Sequence, residues 1–105
     1  MTKHEARVFG DAADLEALEL ALSATGFNPQ RQNLIQASEP AQIKELLIFA
    51  IGIGVGKCIR TYLQERSKRL VARHGDKVLI RGDFSIEEIE RLLKASSEYN
   101  IEDDK

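Results

Sequence analysis

One stretch of sequence decides how this chain is expected to fold: residues 46–57 read LLIFAIGIGVGK. The run is uncharged up to Lys57 and contains Gly52, Gly54 and Gly56. A helix that is apolar on every side must be covered on every side, so the pattern predicts a buried helix. Each glycine costs that helix up to about 1 kcal/mol relative to alanine. Close approach of another backbone, in the core or from a second copy of the chain, would compensate for the cost, and the three glycines are therefore candidate interaction residues.

The residues before this stretch define where the helix should begin. Residues 38–40 read Ser-Glu-Pro, which places in succession a capping serine, a first-turn acid and a proline whose missing N–H costs nothing in the first turn. We therefore predict one long helix over about residues 39–66. It would be about 40 Å long and would form the centre of the domain.

Two other functions of the glycine-bearing stretch are disfavoured. A Walker loop requires glycine at the position of Ile51 and Ser or Thr at the position of Cys58, and a dinucleotide fingerprint requires glycine at Lys57. Both motifs also need a preceding strand, whereas the predicted helix includes this segment. A membrane span needs about 20 apolar residues, and this run is shorter, so a membrane anchor over residues 46–59 is an alternative of lower rank. Core, oligomer contact and membrane contact all stay open for 46–56.

The rest of the chain predicts short elements around the long helix. Residues 6–9 favour a strand, and residues 34–35 a brief second one. A first helix should run from a cap at Asp11 or Asp14 to about Thr25, ending at Gly26. Residues 70–73 and 78–81 should form a β-hairpin across a Gly75-Asp76 turn, with Val71 opposite Ile80 on its apolar face. Ser85 and Glu88 have capping-box spacing at the start of a last helix, which should fade near residues 96–97.

These elements define the expected fold class and domain limits. The class is α+β: a long central helix and two shorter helices packed on a small, mainly antiparallel sheet with a β-hairpin in the C-terminal half. Residues 1–97 should form a single domain. Residues 98–105 are acidic and are predicted to be a frayed tail.

Composition narrows the function classes. The chain has 105 residues, 43% apolar and 30% charged, as in ordinary globular domains. Cys58 is the single cysteine and no apolar N-terminal run indicates a signal peptide, so we expect a reducing, cytoplasmic location. His4 and His74 complete no metal-ligand or catalytic set with it. We therefore expect no enzymatic activity, no metal and no cofactor.

Charge is distributed unevenly. Residues 57–81 carry eight Lys or Arg against two acids, between two acidic segments. The candidate basic surface comprises Arg66, Lys68, Arg69, Arg73, Lys77 and Arg81. Clustered cations can bind nucleic acid, but aromatic residues are scarce there, and acids of the last helix (Glu87, Glu88, Glu90) can neutralise the cluster. Self-neutralisation is the favoured interpretation, and nucleic-acid binding is the alternative.

About half of the chain, residues 41–95, resembles the effector-associated constant component family of bacterial conflict systems. The resemblance rests on the apolar run 46–55, the basic segment 57–69, the residues 71–80 across Gly75-Asp76, and Ser85-Ile86-Glu87-Glu88-Ile89. The three glycines and the lack of tryptophan depart from that pattern. The resemblance implies an accessory or adaptor role in a multi-component system without enzymatic activity, and it implies no site residues.

The function expected from these observations is that of a non-enzymatic interaction module. It would use the glycine-bearing helix or the basic hairpin for self-association or for docking a protein partner. A nucleic-acid partner ranks below a protein partner, and a membrane partner is disfavoured.

Overall fold

The computed structural model describes residues 4–34, 44–73 and 78–104 of the chain. The elements follow one another in the order β1 (Glu5–Asp11), α1 (Ala12–Ala24), β2 (Gln30–Leu34), β3 (Lys44–Ala50), α2 (Val55–Arg66), β4 (Lys68–Ala72), β5 (Leu79–Arg81), α3 (Ile86–Leu93) and β6 (Glu98–Asp103). The fold is therefore α+β, with three helices and a six-stranded mixed sheet in the described residues.

The long helix predicted over 39–66 is wrong: residues 44–50 form β3 and residues 55–66 form α2. β3 lies between β2 and β1 in the sheet. Leu47 and Phe49 share one face of β3 and are buried, and Leu46 on the opposite face is buried as well. A strand with apolar residues on both faces has a continuous apolar run instead of an alternating one, and a short run of this kind looks like a buried helix. The predicted cap at residues 38–40 lies outside the described residues.

The sheet order is β2-β3-β1-β6-β4-β5, with β1 and β6 parallel and the other neighbouring strands antiparallel. β1 and β2 run in the same direction with β3 between them, and β5 and β6 do so with β4 between them. The helices α1 and α3 connect these strand pairs, and α2 connects the two halves of the sheet. Both α1 and α3 pack against α2, so the three helices form one layer.

Strand register decides which side chains face the helical layer. Val8 lies opposite Leu47 and Ala6 opposite Phe49, and all four side chains are buried. The alternate residues Arg7 and Phe9 lie on the other face of the sheet and are partly exposed.

The predicted acidic tail is also wrong, because residues 98–103 form β6 between β1 and β4. Tyr99 is fully buried and its hydroxyl donates to the carbonyls of Leu92 at 2.8 Å and Ser96 at 2.9 Å. The acids of this segment occupy alternate or terminal positions around Tyr99 and Ile101. Apolar and polar residues alternate over only a few positions here, and the high acid content makes this strand difficult to recognise from the sequence.

β4 and β5 are antiparallel neighbours, as predicted, but their register differs by one residue. Leu70 pairs with Ile80 and Val71 with Leu79, whereas Val71 was predicted to face Ile80. Leu70 and Ile80 are both fully buried. A shift of one residue exchanges the two faces of a strand, so Leu70 and not Val71 belongs to the core. The predicted Gly75-Asp76 turn lies outside the described residues.

α1 begins and ends where its sequence signals predict, and α3 begins as predicted but ends at Leu93, before the predicted end near residues 96–97. α1 ends at a Gly26 with φ of +93°, and the Phe27 N–H donates to the Leu22 carbonyl at 3.1 Å. The Ser85 hydroxyl accepts from the Glu88 N–H at 3.1 Å at the start of α3. These helix ends depend on residues close in sequence, which explains why the sequence predicts them.

Candidate interaction surface

The turn between β3 and α2, residues 51–54, contains two of the three predicted glycines and is called the glycine turn. Gly54 has φ of +92°, a conformation that residues with a side chain rarely adopt. The Val55 N–H donates to the Gly52 carbonyl at 3.2 Å, which closes the turn. Between the two glycines, Ile53 is fully exposed, at 102%. The turn therefore presents a large apolar side chain to solvent.

Gly56 has a different role, because it lies in the first turn of α2 and is buried. A Cβ at this position would lie 2.4 Å from Cγ of Glu90 on α3. Gly52 is less restricted, since a Cβ there would lie 3.7 Å from the Phe27 ring. The three glycines thus do not share one helix face: Gly56 allows α2 and α3 to pack, whereas Gly52 and Gly54 shape an exposed turn.

The strand, glycine turn and helix occur in the order that phosphate-binding loops use, so the structure removes one sequence argument against such a loop. The motif differences at Ile51, Lys57 and Cys58 remain. In addition, Oε2 of Glu90 lies 3.1 Å from the position that a Gly56 Cβ would occupy. The chain therefore places its own carboxylate beside the first turn of α2, where the helix dipole favours an anion.

The predicted basic surface is spread over several elements. Its described members lie at the end of α2, on β4, just after β4 and on β5: Arg66, Lys68, Arg69, Arg73 and Arg81. Lys77 lies outside the described residues. Arg66 is exposed and makes no ion pair within the described ranges.

The basic residues of β4 face acidic residues of the neighbouring β6. Three ion pairs, called the ion-pair strip, join β4 and Arg73, the residue just after it, to β6: Lys68 with Asp103 on the face of the sheet that carries the helices, and Arg69 with Glu102 at 3.1 Å and Arg73 with Glu98 at 4.0 Å on the opposite face. The Arg73 guanidinium also lies 3.9 Å from the centre of the Phe9 ring. The sheet register produces this pattern, since Lys68 lies opposite Asp103 and Arg69 opposite Glu102.

Further acids complete the neutralisation. Lys68 lies 3.2 Å from Asp14, and Arg81 lies 3.2 Å from Asp104. The hydrogen bond to Asp103, and secondarily the proximity of Asp14, raises the pKa of Lys68 against the opposing effect of burial. The neutralising acids belong mainly to residues 98–104, whereas the α3 acid Glu88 pairs with Arg91 on its own helix.

Cys58 lies on α2 beside a groove of about 390 Å³ between α1 and α2, the α1–α2 groove. Burial raises the pKa of the thiol, and a side-chain hydrogen bond with Thr25 opposes that rise only in part. A raised pKa leaves less thiolate at neutral pH, and the thiolate is the nucleophilic form. The geometry therefore gives no support to a reactive thiol.

Among the described residues, no helix has the length and apolar character that crossing a bilayer requires. The apolar segment 46–59 is divided between β3, the glycine turn and the first part of α2.

Comparisons with protein-family models, with curated proteins and with solved structures found no match to this chain. The candidate site therefore rests on geometry. Sequence reasoning missed Ile53 as an exposed residue because it assigned the whole run to a buried helix. A signal was present, since glycine is a strong turn signal and three glycines lie within residues 52–56. The exposed Leu20 of α1 was also missed, because α1 was read as having a single apolar face.

Proposed function

We propose that this chain is a non-enzymatic interaction module that docks a protein partner through the glycine turn. One observation carries the proposal: Ile53 is 102% exposed at the tip of a turn held by Gly52 and Gly54. Burying an isoleucine side chain on a partner contributes about 1.5–3 kcal/mol. Ile53 can serve as an anchor residue for a partner without lowering the stability of the fold, because its side chain does not contribute to the core.

The surroundings of Ile53 define the partner chemistry. Ile53 borders a shallow pocket of about 270 Å³ that Ile51, Glu90 and Lys94 also line. Lys94 is exposed and makes no ion pair within the described residues. Because the pocket has both the Glu90 carboxylate and the Lys94 ammonium group, it favours a partner segment with an apolar residue next to polar or charged groups of both signs.

The basic hairpin is a weaker docking candidate. Lys68, Arg69 and Arg73 already face acids of β6 in the ion-pair strip. Nucleic-acid binding would require phosphates to replace these carboxylates, and the observations therefore favour the glycine turn. An accessory role in a multi-component system, as the family resemblance implies, is part of the same proposal.

Site-specific photocrosslinking tests the glycine turn in cells that naturally express the chain. A photoreactive residue at position 53 should yield a discrete adduct with a protein partner. The matched control places it at Leu79, an exposed apolar residue on β5 that is 37% exposed. Failure to form an adduct at position 53, or the same adducts from both positions, would argue against the turn as the docking site.

A further inference from the structure

The glycine turn has a projection and a depression side by side. The side chain of Ile53 projects from the turn and is 102% exposed. The pocket of about 270 Å³ beside it, called the turn pocket, is lined by Ile51, Gly52, Glu90, Lys94 and Ile53 itself. Ile53 therefore stands at the rim of the turn pocket and leaves it open. A projecting isoleucine and a pocket that can receive one thus lie next to each other on a single surface.

An adjacent projection and pocket are what a twofold contact requires. In an isologous dimer the same surface of both copies meets itself, so each contact from one copy to the other occurs twice. A twofold axis that lies in the plane of contact and passes between Ile53 and the turn pocket places Ile53 of each copy over the pocket of the other. No further segment of the chain has to reach this contact.

The two glycines beside Ile53 allow the copies to approach closely. A Cβ added at Gly54 would meet no atom within 4 Å in the described part of the chain, and one added at Gly52 would meet only the Phe27 ring, at 3.7 Å. Both glycines are exposed. Because no side chain stands on either side of Ile53, the backbone of a second turn can come near this one.

The charges at the turn pocket also match those of a second copy. Glu90 and Lys94 are one helical turn apart at the end of α3, and neither makes an ion pair within the described ranges. The pocket therefore has one group of each sign and no net charge. A strongly acidic or strongly basic partner would place like charges against one of the two groups, which is unfavourable. A second copy brings both signs and no net charge to the contact.

We propose that the partner docked at the glycine turn is a second copy of this chain, with Ile53 of each copy seated in the turn pocket of the other. This inference rests on the proposed function, because it uses the same site and names the occupant. Two isoleucines and two shallow pockets form a small contact, and stable interfaces bury about 1,200–2,000 Å². The dimer should therefore be weak and should dissociate on dilution.

Sedimentation velocity of the full chain over a hundredfold concentration range, up to about 1 mM because small interfaces bind weakly, measures the dimer. The wild type should dimerise as its concentration rises. Ile53→Asp should weaken the dimer by about tenfold or more, whereas Ile53→Leu keeps an apolar side chain and should retain it. Leu20→Asp is the matched control on α1, where Leu20 is 64% exposed, and it should leave the dimer unchanged.

Far-UV circular dichroism checks that the variants are folded, which is expected because both substituted side chains are exposed. A dimer that Ile53→Asp does not weaken, or one that Leu20→Asp weakens equally, would overturn the inference.

Exchange of the pocket charges tests whether the two copies complement each other. Glu90→Lys gives the turn pocket two positive groups and Lys94→Glu gives it two negative ones, so each variant alone should dimerise several-fold more weakly than the wild type. A mixture of the two variants should form a heterodimer that recovers most of the loss. Lys94 is exposed, so Lys94→Glu remains informative by itself: its weakened dimer should strengthen as salt screens the repulsion. A mixture that associates no better than either variant alone would contradict the contact between the two pockets.

Photocrosslinking at position 53 separates the failure of this inference from the failure of the proposed function. In the purified chain, the photoreactive residue should yield an adduct of twice the chain's mass. A purified chain that stays monomeric throughout, together with an adduct to a different protein in cells, would overturn the second copy as occupant and retain the glycine turn as a docking site. A monomeric chain that forms no adduct in cells would overturn both.

Discussion

The ion-pair strip contains residues of the basic segment 57–81, and the glycine turn contains residues of the apolar run 46–57. The fold pairs the charges of the first and exposes an apolar side chain of the second. In the strip, Lys68, Arg69 and Arg73 pair with acids of β6, so cations of a strongly basic segment are neutralised on both faces of the sheet. In the glycine turn, an apolar run leaves the core after β3 and presents Ile53 to solvent. A cluster in the sequence thus indicates a binding surface only if the fold does not pair it internally.

The largest expected effect on stability comes from a substitution in β6, the strand that contains the acids of the ion-pair strip. Tyr99→Ala should reduce the free energy of unfolding by about 3–5 kcal/mol, because it removes a fully buried aromatic side chain. Urea unfolding measures the change. The matched control Glu102→Ala removes an exposed ion pair on the same strand and should change stability by less than about 1 kcal/mol. Equal, small effects of both variants would mean that residues 98–103 contribute little to the fold.

The next effect separates the buried glycine from the exposed one. Gly56→Val should destabilise the protein by about 1–3 kcal/mol through overpacking against Glu90. Glu90→Ala in the same chain should restore part of the loss by removing the clashing side chain. Gly52→Ala, where a Cβ meets only ordinary contact, is the control and should change stability by about 0.5 kcal/mol or less. Thermal unfolding of the wild type and the three variants would contradict this explanation if Gly52→Ala were more destabilising than Gly56→Val.

Alkaline pH should weaken the fold through two buried tyrosines. Burial raises the pKa of Tyr62 and of Tyr99 to about 12. The unfolded chain loses these protons near its ordinary value of 10.0, while the folded chain retains them to about 12. The contribution of these tyrosines to stability should therefore be unaffected below pH 10 and should fall between pH 10 and 12, by up to about 1.4 kcal/mol per pH unit for each tyrosine.

Urea titrations at pH 8, 10 and 11 measure this alkaline loss. Lys68 acts in the same direction, since its raised pKa means that its ion pairs stabilise the fold below pH 10.5 and are lost above it. Tyr99→Phe and Tyr62→Phe should each reduce the slope between pH 10 and 11. An unchanged slope in both variants would assign the alkaline loss to other groups.

The smallest effect concerns the charges of the strip. Asp103→Asn with Glu102→Gln should release Arg69, leave Lys68 with Asp14 alone and remove two negative charges, and it should increase the affinity for a single-stranded DNA 20-mer by several-fold at 50 mM salt. Fluorescence anisotropy measures the affinity, and the increase should disappear at 200 mM salt. Strong, salt-dependent binding by the unmodified chain would instead favour the nucleic-acid alternative.

The parts that the sequence predicted correctly depend on short-range signals. Gly26 ends α1, Ser85 caps α3, and the leucine spacing of α1 marks its buried face, because each of these depends on residues within one or two helical turns. The Lys57–Arg81 segment was also expected to be neutralised by acids of the same chain, although the acids were expected on α3.

The incorrect assignments share a physical cause. A run such as residues 46–50 satisfies either a buried helix or an interior strand, and its neighbours in the sheet decide between them. The acids of residues 98–104 by themselves predict a solvated tail. In the folded chain they lie in register with the cations of β4, and the segment forms a strand. The one-residue shift that places Leu70 opposite Ile80 follows from the helical layer, which buries one face of β4 and β5.

The sequence by itself determined the α+β class, the limits of α1, the start of α3, and the presence of a strongly apolar glycine-bearing segment next to a basic one. Tertiary structure alone decided that this segment divides into a strand and a helix, that Gly56 is enclosed while Ile53 is exposed, and that the basic segment lies beside β6. Local signals act through a few neighbouring residues, whereas strand order and charge pairing depend on residues about 30 positions apart, such as Lys68 and Asp103, that only the folded sheet brings together.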